Sequence, residues 1–168
     1  MYVQLYDTCV APTILYGAEI FGYKKSSDFE KIQKRALRFF MGVHKNTPIL
    51  AMMGDMGWVD INIEQSVCMI RYWNRVIKLD QSRLTKRIFM WDYNLEEGSW
   101  GNNVSTILSS IDYSHLFQAK LVCDIIDVEN RLIDNYTKSW SSLMLEKPKL
   151  RTYVTYKEAY TPEVDLYN

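Results

Sequence analysis

The sequence predicts an all-α protein, an irregular multi-helix domain of about six to eight helices. Three observations predict it. Apolar residues recur at helical spacing in at least four segments, and capping residues flank those segments. Seven glycines and four prolines in 168 residues supply too few tight turns for an all-β fold. The chain is 48% hydrophobic and 24% charged, which excludes general disorder. A chain of this length buries roughly 70% of its unfolded surface, enough to fold without a disulfide or a structural metal.

The first segment, 1–21, is apolar and carries Pro12, which opens or kinks a helix because it has no N–H to give to the preceding turn. Tyr2, Leu5, Tyr6 and Cys9 recur at helical spacing there. So apolar a beginning reads as cut from something longer. Ser27 and Glu30 make a capping box for a helix running to Met41, with Gly42 as its C-terminal cap. Phe29, Ile32, Ala36, Leu37, Phe39 and Phe40 form a broad apolar face on it. Lys31, Lys34, Arg35 and Arg38 fall together on the other side.

Thr47 caps a short helix with Pro48 at its first position, ending near Gly54–Gly57. The segment 61–79 is apolar on almost every side, with only Glu64, Arg71, Arg75 and Lys78 as a polar strip. A helix of that kind is central in its fold, so it is expected as the core helix, packed on Phe29, Ile32 and Phe40. Ser82 caps a helix through Asp92, Glu96–Ser99 is a loop, and Ser99 caps a helix through Ser110. Residues 112–115 form a helix break or a new cap. The last long helix, 120–146, carries a stripe from Val122 to Met144, with Asp124, Asp127, Arg131, Asp134 and Lys138 opposite. Glu129 falls inside the stripe and is expected to reach a basic residue of a neighbouring helix. Pro148 ends that helix. The expected organisation is therefore one helical domain, 1–147, and a loosely ordered tail, 148–168.

The net charge is zero but uneven. Residues 24–87 hold thirteen Lys/Arg against six Asp/Glu, whereas residues 88–168 hold seven against twelve. The basic excess is densest around the capped helix: Lys24, Lys25, Lys31, Lys34, Arg35, Arg38 and Lys45. Asp28 and Glu30 belong to its first turn, where they favour the helix dipole, so the ridge is expected to stand without carboxylate partners. Such a ridge suits phosphates, although a solvated helix face has the same look.

Catalytic chemistry is thin. No G-x-G-x-x-G or G-x-x-x-x-G-K loop occurs, and no two aspartates are adjacent. Asp124, Asp127 and Glu129 do not share a helix face, and Ser114 beside His115 lacks a nucleophile elbow. Cys9, Cys68 and Cys123 lie far apart, with no C-x-x-C pair and isolated His44 and His115. These read as reduced, packed thiols, with no metal site and no cofactor. No signal peptide or membrane span is visible, which places the chain inside the cell, in cytoplasm or nucleus.

Two stretches carry a family likeness: Leu15-Tyr-Gly-Ala-Glu-Ile-Phe-Gly22 and the run from Ile32 through Lys34-Arg35-Ala36-Leu37-Arg38 to Thr47-Pro48. Gly54-Asp-Met-Gly57 and Lys149-Leu-Arg-Thr-Tyr153 with Lys157 follow in the same order. Together they resemble the region after the polymerase palm in reverse transcriptases of non-long-terminal-repeat (LINE-like) retrotransposons. The resemblance implies a helical thumb/connector fragment whose full-length relatives carry an upstream RNA-directed DNA polymerase domain. It also implies contact with the template–primer backbone. The palm's Tyr-x-Asp-Asp aspartates are absent, so no catalytic residue carries over. The competing expectation is a structural or protein-interaction helical domain with no nucleic-acid role.

Overall fold

Fifteen residues from Ser27 to Met41 hold one unbroken helix, α4, in the computed structural model, which describes residues 2–22, 27–93 and 98–157. No glycine or proline interrupts that stretch. It ends where Gly42 turns to a φ of 62°, and the N–H of Val43 reaches back to the carbonyl of Arg38. Before it lie α1 (Tyr2–Leu5), a π-helical turn (Tyr6–Val10), α2 (Ala11–Ile14) and α3 (Ala18–Phe21). The π turn comes just before Pro12, so the expected kink takes the form of a register change. That change alters which residues are buried: Tyr6, Ala11 and Ile14 are inside, while Leu5 and Cys9 are exposed.

Then come α5 (Ile49–Met56), α6 (Ile61–Lys78), α7 (Leu84–Asp92), α8 (Trp100–Ser109), α9 (Ser114–Gln118) and α10 (Ile125–Glu146). A 3-10 turn (Pro148–Leu150) and α11 (Arg151–Tyr156) follow. Every regular element among the described residues is helical, and the arrangement is irregular. Ser99 caps α8 as its sequence position predicts, its Oγ accepting from the N–H of Asn102 at 2.9 Å. The Asp92 carboxylate takes the N–H groups of Trp100 and Gly101 at the same helix end. Two other expected caps move by one residue. Pro48, in an extended conformation, precedes α5 in place of Thr47, and Arg83 precedes α7 in place of Ser82. Ser82 instead gives its N–H to the side chain of Asp80, which competes for it as a local turn.

The chain divides into two compact units. One is drawn from Met1–Val10, Ser26–Ile61 and Ile133–Asn168, the other from Ala11–Lys25 and Asn62–Leu132.

In the second unit α6 is the core, as its all-round apolar pattern predicts. Met69, Ile70, Trp73 and Val76 are fully buried, among Phe89, Val104, Leu108, Phe117 and Val128. The Trp73 indole N–H has no acceptor among the described residues, so packing holds the ring, stacked on Phe117 at 6.3 Å. Asn74 is buried on the same helix. Its amide donates to the carbonyl of Cys123 at 2.8 Å and accepts from the N–H of Cys123 at 2.9 Å. This pair of hydrogen bonds holds the segment before α10 in a non-helical path. With Lys120 at a φ of 53°, it explains why α10 starts at Ile125 and not at 120. Asp124 then caps α10, accepting from the N–H of Ile126. The C-terminal end of α6 is closed by the buried Lys86, whose ammonium donates to the carbonyls of Val76 and Ile77.

In the first unit, α4 buries Gln33 and Leu37 and leaves Ile32 and Phe39 exposed. The buried strip is therefore rotated away from the expected apolar face, and Ile32 does not serve as a packing residue. The reason is Gln33, whose amide donates to the carbonyl of Val59 at 2.8 Å and accepts from the N–H of Ile61 at 3.2 Å. Phe40 packs edge-on to Tyr6 and Trp58. Ala51, Trp140, Met144 and Leu150 form a second cluster, with Tyr153 and Val154 against it. The Tyr153 hydroxyl donates to Asp55 at 2.6 Å, and the Trp140 indole to the carbonyl of Leu50 at 2.9 Å. Residues 148–157, expected in a loose tail beyond 147, are thus folded into this unit. The rest of that tail, 158–168, lies outside the described residues.

Two outcomes follow. Asn74→Leu strands a backbone N–H and a C=O at Cys123, so urea unfolding should show a loss of about 2–5 kcal/mol. Gly54 matters for space: a Cβ there would stand 2.6 Å from Cζ2 of Trp140. Gly54→Ala should lower stability by about 1–3 kcal/mol despite alanine's better helix propensity, with a shift in Trp fluorescence as the indole moves.

Candidate nucleic-acid interface

Because α4 is unbroken and buries Gln33 and Leu37, its basic residues have determined positions. Lys31, Arg35 and Arg38 lie on the side turned from that buried strip, with Lys34 at its edge. Lys31 and Arg35 are exposed, while Lys34 and Arg38 are half-buried. Lys45 is exposed in the turn after α4. Lys24 and Lys25 lie outside the described residues.

The ridge is not without partners. Lys31 donates to Asp28 at 2.8 Å and Lys34 to Glu30 at 2.6 Å. These are i,i+3 and i,i+4 pairs, the spacings at which helix side chains meet, so the signal stood in the sequence. The hydrogen bond from Lys31, and then its charge, hold the Asp28 carboxyl below the usual carboxylate range. Asp28 and Lys31 remain open to water, which screens the pair and lets a polyanion compete for the lysine.

Arg35 has no carboxylate within ion-pair distance among the described residues. The Nε of Arg38 is shielded from water and has no acceptor among the described residues. Among the described residues neither guanidinium is ion-paired, Arg35 being exposed and Arg38 half-buried. Beside Arg35 are the exposed Phe39 and Ile32, which reasoning from apolar periodicity had assigned to the core. The signal that could have corrected this is Gln33, a polar residue at the centre of the buried strip.

Two acidic residues of α10, Asp127 and Glu129, and Asp124 just before it are engaged structurally. Asp124 caps the helix, and Asp127 accepts from the Tyr113 hydroxyl and from Arg131. Glu129 faces Arg71 of α6 at 3.7 Å, the basic partner expected for it. Among the described residues no three His, Cys, Asp or Glu side chains gather where a metal ion could be held. No helix among them is long and apolar enough to cross a membrane.

A recess of about 580 Å³ opens in the second unit, lined by Ile20, Phe21, Tyr72, Ile88, Trp91 and Trp100 among others. Its rim residues Phe21 and Trp91 are about two-thirds exposed. Sequence reasoning missed it, because the residues come from α3, α6, α7 and α8 and converge only on folding.

No family model, curated protein or solved structure matches the chain.

The three thiols differ in setting, since Cys9 is exposed and not packed as expected, Cys68 is half-buried and Cys123 is buried. Burial pushes the Cys123 thiol up to about 11 from 9.0. The folded chain therefore keeps this proton where the unfolded chain has lost it, and that stabilisation fades as pH rises from about 9 to about 11. Iodoacetamide at neutral pH should label Cys9 in the folded protein and Cys123 only after unfolding. Cys123→Ala should also reduce the loss of stability across that alkaline range.

Proposed function

We propose that the chain is a non-catalytic, nucleic-acid-contacting helical region of the reverse-transcriptase thumb/connector kind. In this reading α4 lies along a phosphodiester backbone. The observation that carries it is the pair of guanidiniums on α4, exposed Arg35 and half-buried Arg38, that are in no ion pair among the described residues, with Lys45 beyond the helix end. The ordered motifs from Leu15 to Lys157 that resemble non-long-terminal-repeat reverse transcriptases support the same reading. Its further parts are an upstream polymerase domain as partner in a longer chain, and a place in cytoplasm or nucleus. Arginine suits the role because its planar fork holds a phosphate with two hydrogen bonds. The ion-paired Lys31 and Lys34 contribute by exchanging carboxylate for phosphate, a weaker gain.

A second reading, a protein-interaction domain with no nucleic-acid role, is favoured by the apolar recess with exposed Phe21 and Trp91.

Salt dependence separates the two. Binding to duplex DNA or an RNA·DNA hybrid should weaken steeply with salt. The Arg35→Ala/Arg38→Ala variant should lower the slope by about 0.9 for each lost phosphate contact on B-form DNA. Lys31→Ala/Lys34→Ala should lower it less. An unchanged slope in the arginine variant, or no binding of duplex, hybrid or single strand at low salt, would favour the second reading.

A further inference from the structure

We infer that the strand taken by α4 is single-stranded, with a base stacked on Phe39 while Arg35 holds the adjoining phosphate; this rests on the nucleic-acid reading of α4. Phe39 is 74% exposed, a setting that an aromatic ring gains nothing from in water. It stands one helical turn from Arg35, so ring and guanidinium lie on the same strip of surface. Ile32 continues that strip at 42% exposure, three residues before Arg35. The Phe39 ring is braced edge-on by Phe40 at 5.8 Å. Phe40 in turn packs on Tyr6 and Trp58 of the same unit, so the platform is anchored to the core.

Charge selects the occupant. Four cations and two carboxylates on α4 leave a cationic surface around a single ring. An aromatic one helical turn from an arginine matches the combination that binds single strands: phosphate neutralisation plus stacking on a ring face. A duplex offers the phosphates alone, because its bases are already stacked on one another. An apolar protein partner would find one exposed ring flanked by desolvation-costly charges.

The test uses the full chain and two fluorescent strands with the same number of phosphates. One is oligo-deoxythymidine, the other an abasic oligomer. The parent should bind the thymidine strand about 5- to 100-fold more tightly than the abasic one. Phe39→Ala should remove that preference and leave abasic binding unchanged, whereas Phe39→Trp should keep it. Arg35→Ala should weaken both strands alike. Circular dichroism checks that the exposed-site variants fold. If Phe39→Ala keeps the preference, or the parent shows none, stacking is wrong, while a loss in Arg35→Ala still upholds backbone contact. If neither strand binds at low salt, the nucleic-acid reading of α4 falls, and the stacking inference with it.

Discussion

Each unit of this protein depends on a buried carboxamide that ties a helix to the backbone of a connecting segment. In one, Gln33 of α4 bonds both to the carbonyl of Val59 and to the N–H of Ile61. In the other, Asn74 of α6 bonds to both backbone groups of Cys123. A connector has no helix of its own to satisfy its N–H and C=O groups, and burying them unpaired costs more than the hydrogen bonds themselves return. An amide side chain offers one donor arm and one acceptor, so it satisfies both at once. The rest follows from these two clamps. Gln33 sets the rotation of α4, and hence which of its residues meet water. Asn74 sets where α10 can begin, and Asp124 then caps it.

The rotation of α4 has an electrostatic consequence. Turning Gln33 and Leu37 inward turns Arg35 outward, with Phe39 and Ile32 beside it. The lysines of the same helix are divided from the arginines by their neighbours. Asp28 and Glu30 are placed by helical spacing against Lys31 and Lys34, and nothing is so placed against Arg35. The effective charge of the ridge is thus concentrated in guanidinium groups. The same economy of charge recurs in α10, where Asp124, Asp127 and Glu129 serve as a cap, a hydroxyl and arginine partner, and an ion pair to Arg71. Carboxylates committed in this way hold structure together.

Local signals were legible where the physics is local. The capping serine at 99, the left-handed stop at Gly42 and the central place of α6 could be read directly, because each rests on a few adjacent residues or on one helix's own periodicity. The partner of Glu129 was legible as a kind, a basic residue, but not as Arg71. The ion pairs of α4 were also legible in spacing. The late segment was not: Leu150, Tyr153 and Val154 are too few to show a pattern, yet Tyr153 reaches the carbonyl of Ala51 and the carboxylate of Asp55. No window along the chain contains both ends of such a contact.

The sequence by itself determined the helical class, most helix ends, the basic ridge and the choice of α6 as a core, since propensity, capping and amphipathicity act within a turn or two. Only the tertiary structure decided which strip of α4 is buried, where α10 starts, that residues 148–157 pack, and that an apolar recess forms from α3, α6, α7 and α8. Those outcomes depend on polar groups meeting across long separations in sequence. A buried amide such as Gln33 reads as surface until the backbone it satisfies is brought beside it.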